Sequence, residues 1–514
     1  MNNTATALQP KTAAKAAILP RRIFSFPVVL IMLLLPLAVF TQRSRFYDPD
    51  MWWHLKMGEV IWSTHHVPTV DLFSYTVRHH PWVPHEWLSQ LTIYAAYRGC
   101  GLSGLMMWQC VLAAVLLIAG YVLCSVISGN QKVAFLGVLV IWLFATAGFA
   151  VRPQMIGYVL LIIELLLLHL GQTRDPRWFW ALPPLFAVWV NCHGSFFVGI
   201  VLAAISYGLS FVGLRAGLLI SRRWDPRHQR HLAWSLAISI VMLFANPAGK
   251  SQVFYPLDTM LHQPVGLSQV QEWQPLQVTE PRAVFLMLLL LCVFLLVLVR
   301  RSELHLKELV FLLLGTWMAV SHQRMLFVFG ILAAPILSRM LADLWENYDA
   351  ERDRYVLNAL LIVVSILIAI VAFPSRHALA MQVEKDSPAK AVTFLKSHHI
   401  TGRMLNEYVW GGYLIWAAPE YPVFVDGRAD VFEWTGVLND YGRWATLESD
   451  PRALLEKYGI EFCLISHEAP MARVLPLMGW RAIYSDDLSV IFIRPGSAPT
   501  TSSGAQISPR LSAK

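Results

Sequence analysis

Charge is scarce in this chain. Asp, Glu, Lys and Arg make up 14% of its 514 residues, against about 25% in an ordinary soluble domain. With 56% apolar residues and a mean hydropathy of +0.50, that scarcity points to a polytopic membrane protein. Cysteine is scarce too. Of the six, Cys110, Cys124 and Cys292 fall inside apolar runs, and there is no CxxC or zinc-finger spacing, which argues against a disulfide framework or a structural zinc site. There is no GxGxxG, P-loop, nucleophile elbow or haem motif, so soluble nucleotide-dependent chemistry is disfavoured. No solenoid period recurs. No RNA- or DNA-binding motif accompanies the net charge of +8, and no nucleic-acid partner is expected.

What is present is a series of long apolar runs. The first, Ile23–Phe40, follows a basic stretch and continues into Thr41-Gln42-Arg43 without a cleavage site, so it reads as a retained span rather than a signal peptide. Others follow at 103–127, 133–150, 154–171, 179–192, 195–221, 232–247, 282–300, 307–321, 324–342 and 355–374, for about eleven transmembrane helices. With residues 1–22 as a cytoplasmic tail, alternation puts Lys132, Arg174, Arg177, Arg222, Arg223, Arg227, Arg230, Arg300, Arg301 and Lys307 in cytoplasmic loops, as the positive-inside rule requires. The outer side then receives the long loop 41–102, the Arg152 corner, Asn191-Cys192-His193-Gly194, the 248–281 loop and His322-Gln323-Arg324.

The expected fold is thus a multi-pass α-helical protein of the plasma (inner) membrane, spanning 23–374, with an extracytoplasmic α/β domain over 375–495 and a disordered tail over 496–514. In that domain Ala389–His398, 451–458 and 470–477 read as helices. Val423–Val425, Phe462–Ile465 and Val490–Ile493 read as strands.

The polar chemistry gathers in the first outer loop. Asp48 reads as a helix N-cap with Pro49 at the first helical position. Trp52, Leu55 and Trp62 share the face an in-plane interfacial helix would bury. Asp50 and His54, at i and i+4, point together on another face. A carboxylate there can act as a general base or hold a divalent cation against phosphate oxygens, and the plainer alternative is a helix cap beside a solvated aspartate. Of the six histidines in this loop (His54, His65, His66, His79, His80, His85), none fits a zinc spacing. His54 and Glu86 are kept as substrate-binding candidates. Arg152 and Arg324, at span ends, suit a phosphate or simply snorkel. His193 and His322 sit at polar corners on the same side. Glu272-Trp273-Gln274-Pro275 reads first as loop punctuation. Asp426-Gly427-Arg428 reads as a ligand-facing strand end or a turn with a buried salt bridge.

The long first loop with Asp48-Pro49-Asp50-Met51-Trp52-Trp53-His54-Leu55-Lys56, the multi-span body and the outer α/β domain resemble the GT-C superfamily of membrane glycosyltransferases. The first-loop run also looks like the Asp, paired aromatics and His of oligosaccharyltransferase catalytic subunits. Their Trp-Trp-Asp-Tyr-Gly acceptor motif is absent. The resemblance implies inverting transfer of sugar from a polyprenyl-phosphate carrier to a lipid, glycan or protein acceptor at the outer membrane face. Asp48 or Asp50 matches the family's acidic residue: Asp48 would act as base or hold a divalent cation (Mg or Mn), and Asp50 and His54 would support it. Arg152 and Arg324 would bind donor phosphate. The partners implied are a lipid-linked sugar donor and membrane lipids. Two other classes remain in play: a lipid or polysaccharide transporter, for which Glu164 inside a span is the relevant residue, and a non-catalytic envelope assembly protein.

Overall fold

The computed structural model describes residues 23–262 and 271–496. The expected tails, 1–22 and the part of 496–514 beyond residue 496, lie outside the described residues. In chain order the first helices are α1 (Phe26–Arg43), α2 (Met51–Thr64), α3 (Trp87–Cys100), α4 (Leu102–Ser128), α5 (Gln131–Ala145), α6 (Gln154–Thr173) and α7 (Leu182–Cys192). Then come α8 (Phe196–Leu209), α9 (Pro226–Met242), α10 (Lys250–His262), α11 (Pro281–Arg300), α12 (Leu306–Ser321), α13 (Leu326–Leu341) and α14 (Tyr355–Ala372). Every expected apolar run overlaps one of these helices. Among the described residues, six helices are long and apolar enough to cross a membrane: α1, α4, α6, α11, α13 with its flanks, and α14. α5 and α8 are apolar but shorter. Inside the bundle α5 packs on α13, α1 on α14, and α4 on both α5 and α6.

Helix ends follow local chemistry. Asn130 caps α5 by accepting from the Lys132 and Val133 amides, and its own amide group donates to the carbonyls of Ala342 and Trp345, pinning a neighbouring turn. The run expected at 195–221 stops short, because α8 ends at Leu209. Beyond it, β1 (Leu214–Ala216) and β2 (Leu219–Ser221) pair antiparallel, and β2 pairs in parallel with β3 (Leu304–His305). Arg215 interrupts the apolar run and pairs with Glu303 at 3.7 Å in the open, where a spanning helix would have buried it at a high cost.

The C-terminal part contains α15 (Arg376–Asp386), α16 (Ala389–Ser397), α17 (Gly411–Ala417), α18 (Ala429–Glu433), α19 (Val437–Ala445), α20 (Pro451–Lys457) and α21 (Pro470–Leu477). Its sheet has β4 (Met404–Asn406), β5 (Phe462–Ser466), β6 (Arg481–Ser485) and β7 (Ser489–Ile493) in the order β4-β5-β7-β6. β4 and β5 are parallel and the other pairings antiparallel. The central strands β5 and β7 are buried almost throughout, which is why both read as unbroken apolar runs. Val423–Val425 corrects an expectation: it is buried but is not a strand of this sheet. The Asn406 side chain takes its hydrogen bonds instead, accepting from the Phe424 amide at 2.8 Å and donating to the Val425 carbonyl at 2.8 Å. Its other edge meets the first loop, where Val423 donates to the Phe73 carbonyl and accepts from the Tyr75 amide.

That loop and the C-terminal part share one hydrophobic core, running from Phe46 and Trp52 through Trp82 to Phe424 and Phe492. The expected in-plane face of α2 is therefore corrected. Trp52 and Leu55 are buried, with Trp52 edge-on to Tyr413 at 5.3 Å, while Trp62 stays exposed. The expected cap is corrected as well. α2 begins at Met51, and Asp48 accepts from the Asp50 amide at 2.9 Å rather than capping the helix proper. Gly58 lets α2 lie against α3, since a Cβ there would collide with the Gln90 carbonyl.

Candidate active site

A cavity of about 470 Å³ opens where the first loop, one end of the bundle and the C-terminal part meet. Asp50, His54 and Glu86 reach it from α2 and the start of α3, Arg152 from the turn before α6, and His193 from the α7–α8 corner. Arg324 reaches it from the turn before α13, and Tyr408 and Asp430 from the C-terminal part. Six of the eight residues singled out in the sequence therefore line one space. Asp48 sits behind Arg152 and is not on the cavity wall. His322 turns its Nδ1 to the Trp273 carbonyl at 2.8 Å and is also off the wall.

One half of the cavity is ionic. Arg152 Nε lies 2.9 Å from each Asp48 oxygen, Nη2 is 3.0 Å from Asp50 Oδ2, and Nη1 is 2.9 Å from Glu272 Oε1. Burial works against the arginine's charge, but Asp48, Asp50 and Glu272 outweigh it and hold its pKa well above the usual value. Glu272 also lies 3.6 Å from Arg324, which stacks over the Trp273 ring. Burial opposes the charge on Glu272, and the two arginines bring its pKa below the carboxylate range. Asp50 goes the other way: burial raises its pKa, with Arg152 pulling against it. Trp53 Nε1 donates to Asp50 Oδ1 at 3.3 Å. Gly427 closes over the same oxygen, and a Cβ there would overlap the carboxylate.

The other half is neutral. Glu86 is surrounded by His193 Nε2 at 3.5 Å, His54 Nδ1 at 3.8 Å and His85 Nε2 at 3.8 Å. Burial raises the Glu86 pKa to about 8 and lowers that of His85 to about 3. It also drives His54 and His193 well below the usual imidazole value. At neutral pH these contacts therefore join a protonated carboxyl to neutral rings and are not salt bridges. The Ser195 amide donates to His193 Nδ1 at 3.1 Å, which puts the ring proton on Nε2, facing Glu86. Tyr255 stacks on His85 and donates to Asp430 at 3.3 Å, and Trp82 donates to the same carboxylate at 3.0 Å.

A divalent cation does not fit these residues as they stand. The oxygens of Asp48, Asp50 and Glu272 are turned to Arg152, whose guanidinium fills the space a shared metal would need. Asp48 and His54 do not converge, and among the described residues no group of three or more His, Cys, Asp or Glu is placed to hold a metal. Residues that sequence reasoning passed over are Glu272, His85, Tyr255, Tyr408 and Asp430. Glu272 carried the one usable signal, as an acidic residue in a loop assigned to the same side as Arg152.

No family model matches the chain, and no curated protein matches it. Solved structures do. The oligosaccharyltransferase of Archaeoglobus fulgidus, tethered to an acceptor peptide containing the NVT sequon, overlays at a TM-score of 0.54 with 13% identity, covering 87% of this chain and 70% of that one. The same archaeal enzyme, AglB, with an inhibitory peptide and a dolichol-phosphate, overlays at 0.50 with 13% identity over 86% and 69%. ArnT from Cupriavidus metallidurans, bound to undecaprenyl phosphate, overlays at 0.48 with 12% identity over 93% and 98%. The archaeal overlays place the chain in the GT-C membrane fold; at such identity they show the fold alone.

Proposed function

We propose that the chain is a membrane glycosyltransferase that moves a sugar from a polyprenyl-phosphate-linked donor to an acceptor at the outer membrane face, with inversion at the anomeric carbon. The observation that carries this reading is the split cavity. A carboxylate with a raised pKa and a cation facing the open space stand on one side, and uncharged hydrogen-bonding groups stand on the other. The concentration of Lys and Arg in the loops at the opposite end of the bundle supports a cytoplasmic N-terminus and an outer cavity.

Arg324 is the cation for the donor phosphate, because Arg152 is already shared by three carboxylates. Glu86, His54 and His193 offer neutral donors and acceptors to sugar hydroxyls. Phe197, Val198, Phe327 and Val328 form an apolar wall for the first prenyl units. Asp50 takes the proton of the acceptor as its oxygen bonds to the anomeric carbon. The bond from that carbon to the phosphate oxygen breaks, and the polyprenyl phosphate leaves as an anion that needs charge neutralisation rather than a proton. Asp48 holds Arg152, and Arg152 holds Asp50. The transporter alternative calls for charges facing each other in mid-bundle; Glu164 is buried there, and among the described residues neither of its oxygens has a hydrogen-bond partner.

The test is turnover of a polyprenyl-phosphate-linked sugar by the purified full chain. Asp50→Asn should lower kcat by roughly 10²–10⁴-fold, the range for loss of a general base, with an unchanged melting temperature. Full activity in a folded Asp50→Asn protein would sink the assignment.

A further inference from the structure

A second cavity, of about 230 Å³, lies at the other end of the bundle. Three helices run between the two cavities. α6 lines the first with Gln154 and Tyr158 and the second with His169 and Gln172. α8 contributes Phe197 and Leu209 in the same way, and α13 contributes Phe327 and Arg339. Along α6 the polar residues at the two ends, Gln154 in the first cavity and Gln172 in the second, lie about 27 Å apart, close to the ~30 Å thickness of a bilayer's hydrocarbon core.

The second cavity is cationic over an apolar floor. Lys307 is half-buried, and its Nζ donates to Gln172 Oε1 at 2.5 Å and lies 5.9 Å from the Trp224 ring centroid. It forms no ion pair among the described residues. The adjacent Glu308 is taken by Arg339, with both carboxylate oxygens at 2.6 Å from guanidinium nitrogens, and also accepts from the His305 amide. Arg222 adds an exposed cation at the rim. Leu165, Leu168, Phe311 and Leu332 line the interior. A half-buried lysine whose one neighbouring carboxylate is already neutralised leaves an unmatched positive charge, which an anion would match. A free anion would use the cation alone, whereas a lipid would use the cation and the apolar floor together.

We propose that this end of the bundle binds a phosphate-bearing anionic lipid, with its phosphate on Lys307 and Arg222 and its chain against α6, α12 and α13. The site is independent of the catalytic reading, and its chemistry is that of the basic pockets by which membrane proteins hold acidic headgroups.

Native mass spectrometry of the full chain in a non-ionic detergent tests it, with dioleoyl phosphatidylglycerol, dioleoyl phosphatidylcholine and inorganic phosphate as probes. The expected result is one phosphatidylglycerol adduct per chain, retained in preference to phosphatidylcholine and not displaced by inorganic phosphate. Lys307→Gln should weaken it at least about tenfold, the scale of a lost charge-assisted hydrogen bond, while Lys307→Arg retains it. Arg324→Gln, in the other cavity, should leave it unchanged. If Lys307→Gln cannot be recovered folded, Arg222→Gln carries the same test from an exposed position. Undiminished adduct in these variants, loss in Arg324→Gln, or displacement by inorganic phosphate would each overturn the proposal.

Discussion

Among the described residues an arginine is buried among carboxylates twice, at Arg428 and at Arg152, and the two sites differ in their access to solvent. Arg428 is sealed. Its guanidinium lies 2.7 Å from Asp71 and 2.6 Å from Asp426, all three side chains have no solvent exposure, and the Trp82 ring covers it at 4.8 Å. Arg152 is open. It meets Asp48, Asp50 and Glu272, yet its side chain is 14% exposed and Glu272 is 40% exposed, on a cavity. The same device thus serves two ends. Where the side chains are closed off from solvent, the arginine clamps the first loop, through Asp71, to the C-terminal part. Where a space remains, one carboxylate, Asp50, faces it with a pKa that burial raises.

The open site is the more sensitive to substitution. Arg152→Met should cut sugar-transfer turnover by roughly a hundredfold or more while the protein stays folded. It should also leave three carboxylates around a gap, so electron paramagnetic resonance should detect Mn²⁺ bound by the variant and not by the parent. A variant that simply unfolds would make both arginines structural. Arg428→Met, by contrast, strands two buried aspartates and should cost about 3–5 kcal/mol of stability, measured by denaturation in detergent. A loss comparable to that of a surface change would deny the clamp.

Glu86 gives a smaller, pH-dependent effect. Its pKa is about 8 in the folded chain against an ordinary 4.5, so between those values the folded state keeps a proton the unfolded chain has released. Stability therefore falls as pH rises through that window. His54 and His193, held neutral by burial, act in the opposite sense only below about pH 6.5. Between pH 6.5 and 8 the parent should lose about 2 kcal/mol, and Glu86→Gln should be flat. Parallel pH profiles would show that Glu86 does not hold its proton. Smallest of all is Arg352→Ala. Its partners Glu346 and Asp349 are 3.0 and 3.4 Å away and all three side chains are exposed, so removing these pairs should change stability by less than about 1 kcal/mol.

The helical body was legible because an apolar run long enough to span leaves few other choices. The grouping of Asp50, His54, Glu86, Arg152, His193 and Arg324 was legible through alternation of loops, which is topology read from charge. What escaped were contacts between segments distant in the chain. Nothing near Asp48 shows that Arg152 will take both of its oxygens. Nothing near Val423 shows that Asn406 will replace a ladder neighbour. Glu272 reads as loop punctuation in the sequence because only the folded turn brings it to Arg152. His85 is adjacent to Glu86 in the chain, and what distinguishes it from the other loop histidines is its stacking on Tyr255.

The core shared by the first loop and the C-terminal part also constrains how the chain is made. Trp82 and Asp430, which meet across it, are 348 residues apart. At ~5–20 residues per second, roughly 20–70 s pass between their synthesis. For that interval the loop aromatics lack the C-terminal side chains that bury them in the folded protein, and the nascent protein must hold them against the membrane surface or a chaperone. Completion of the cavity is therefore among the last events of biogenesis, and a ribosome that stalls before residue 430 would release a chain with its helices inserted and its site unassembled.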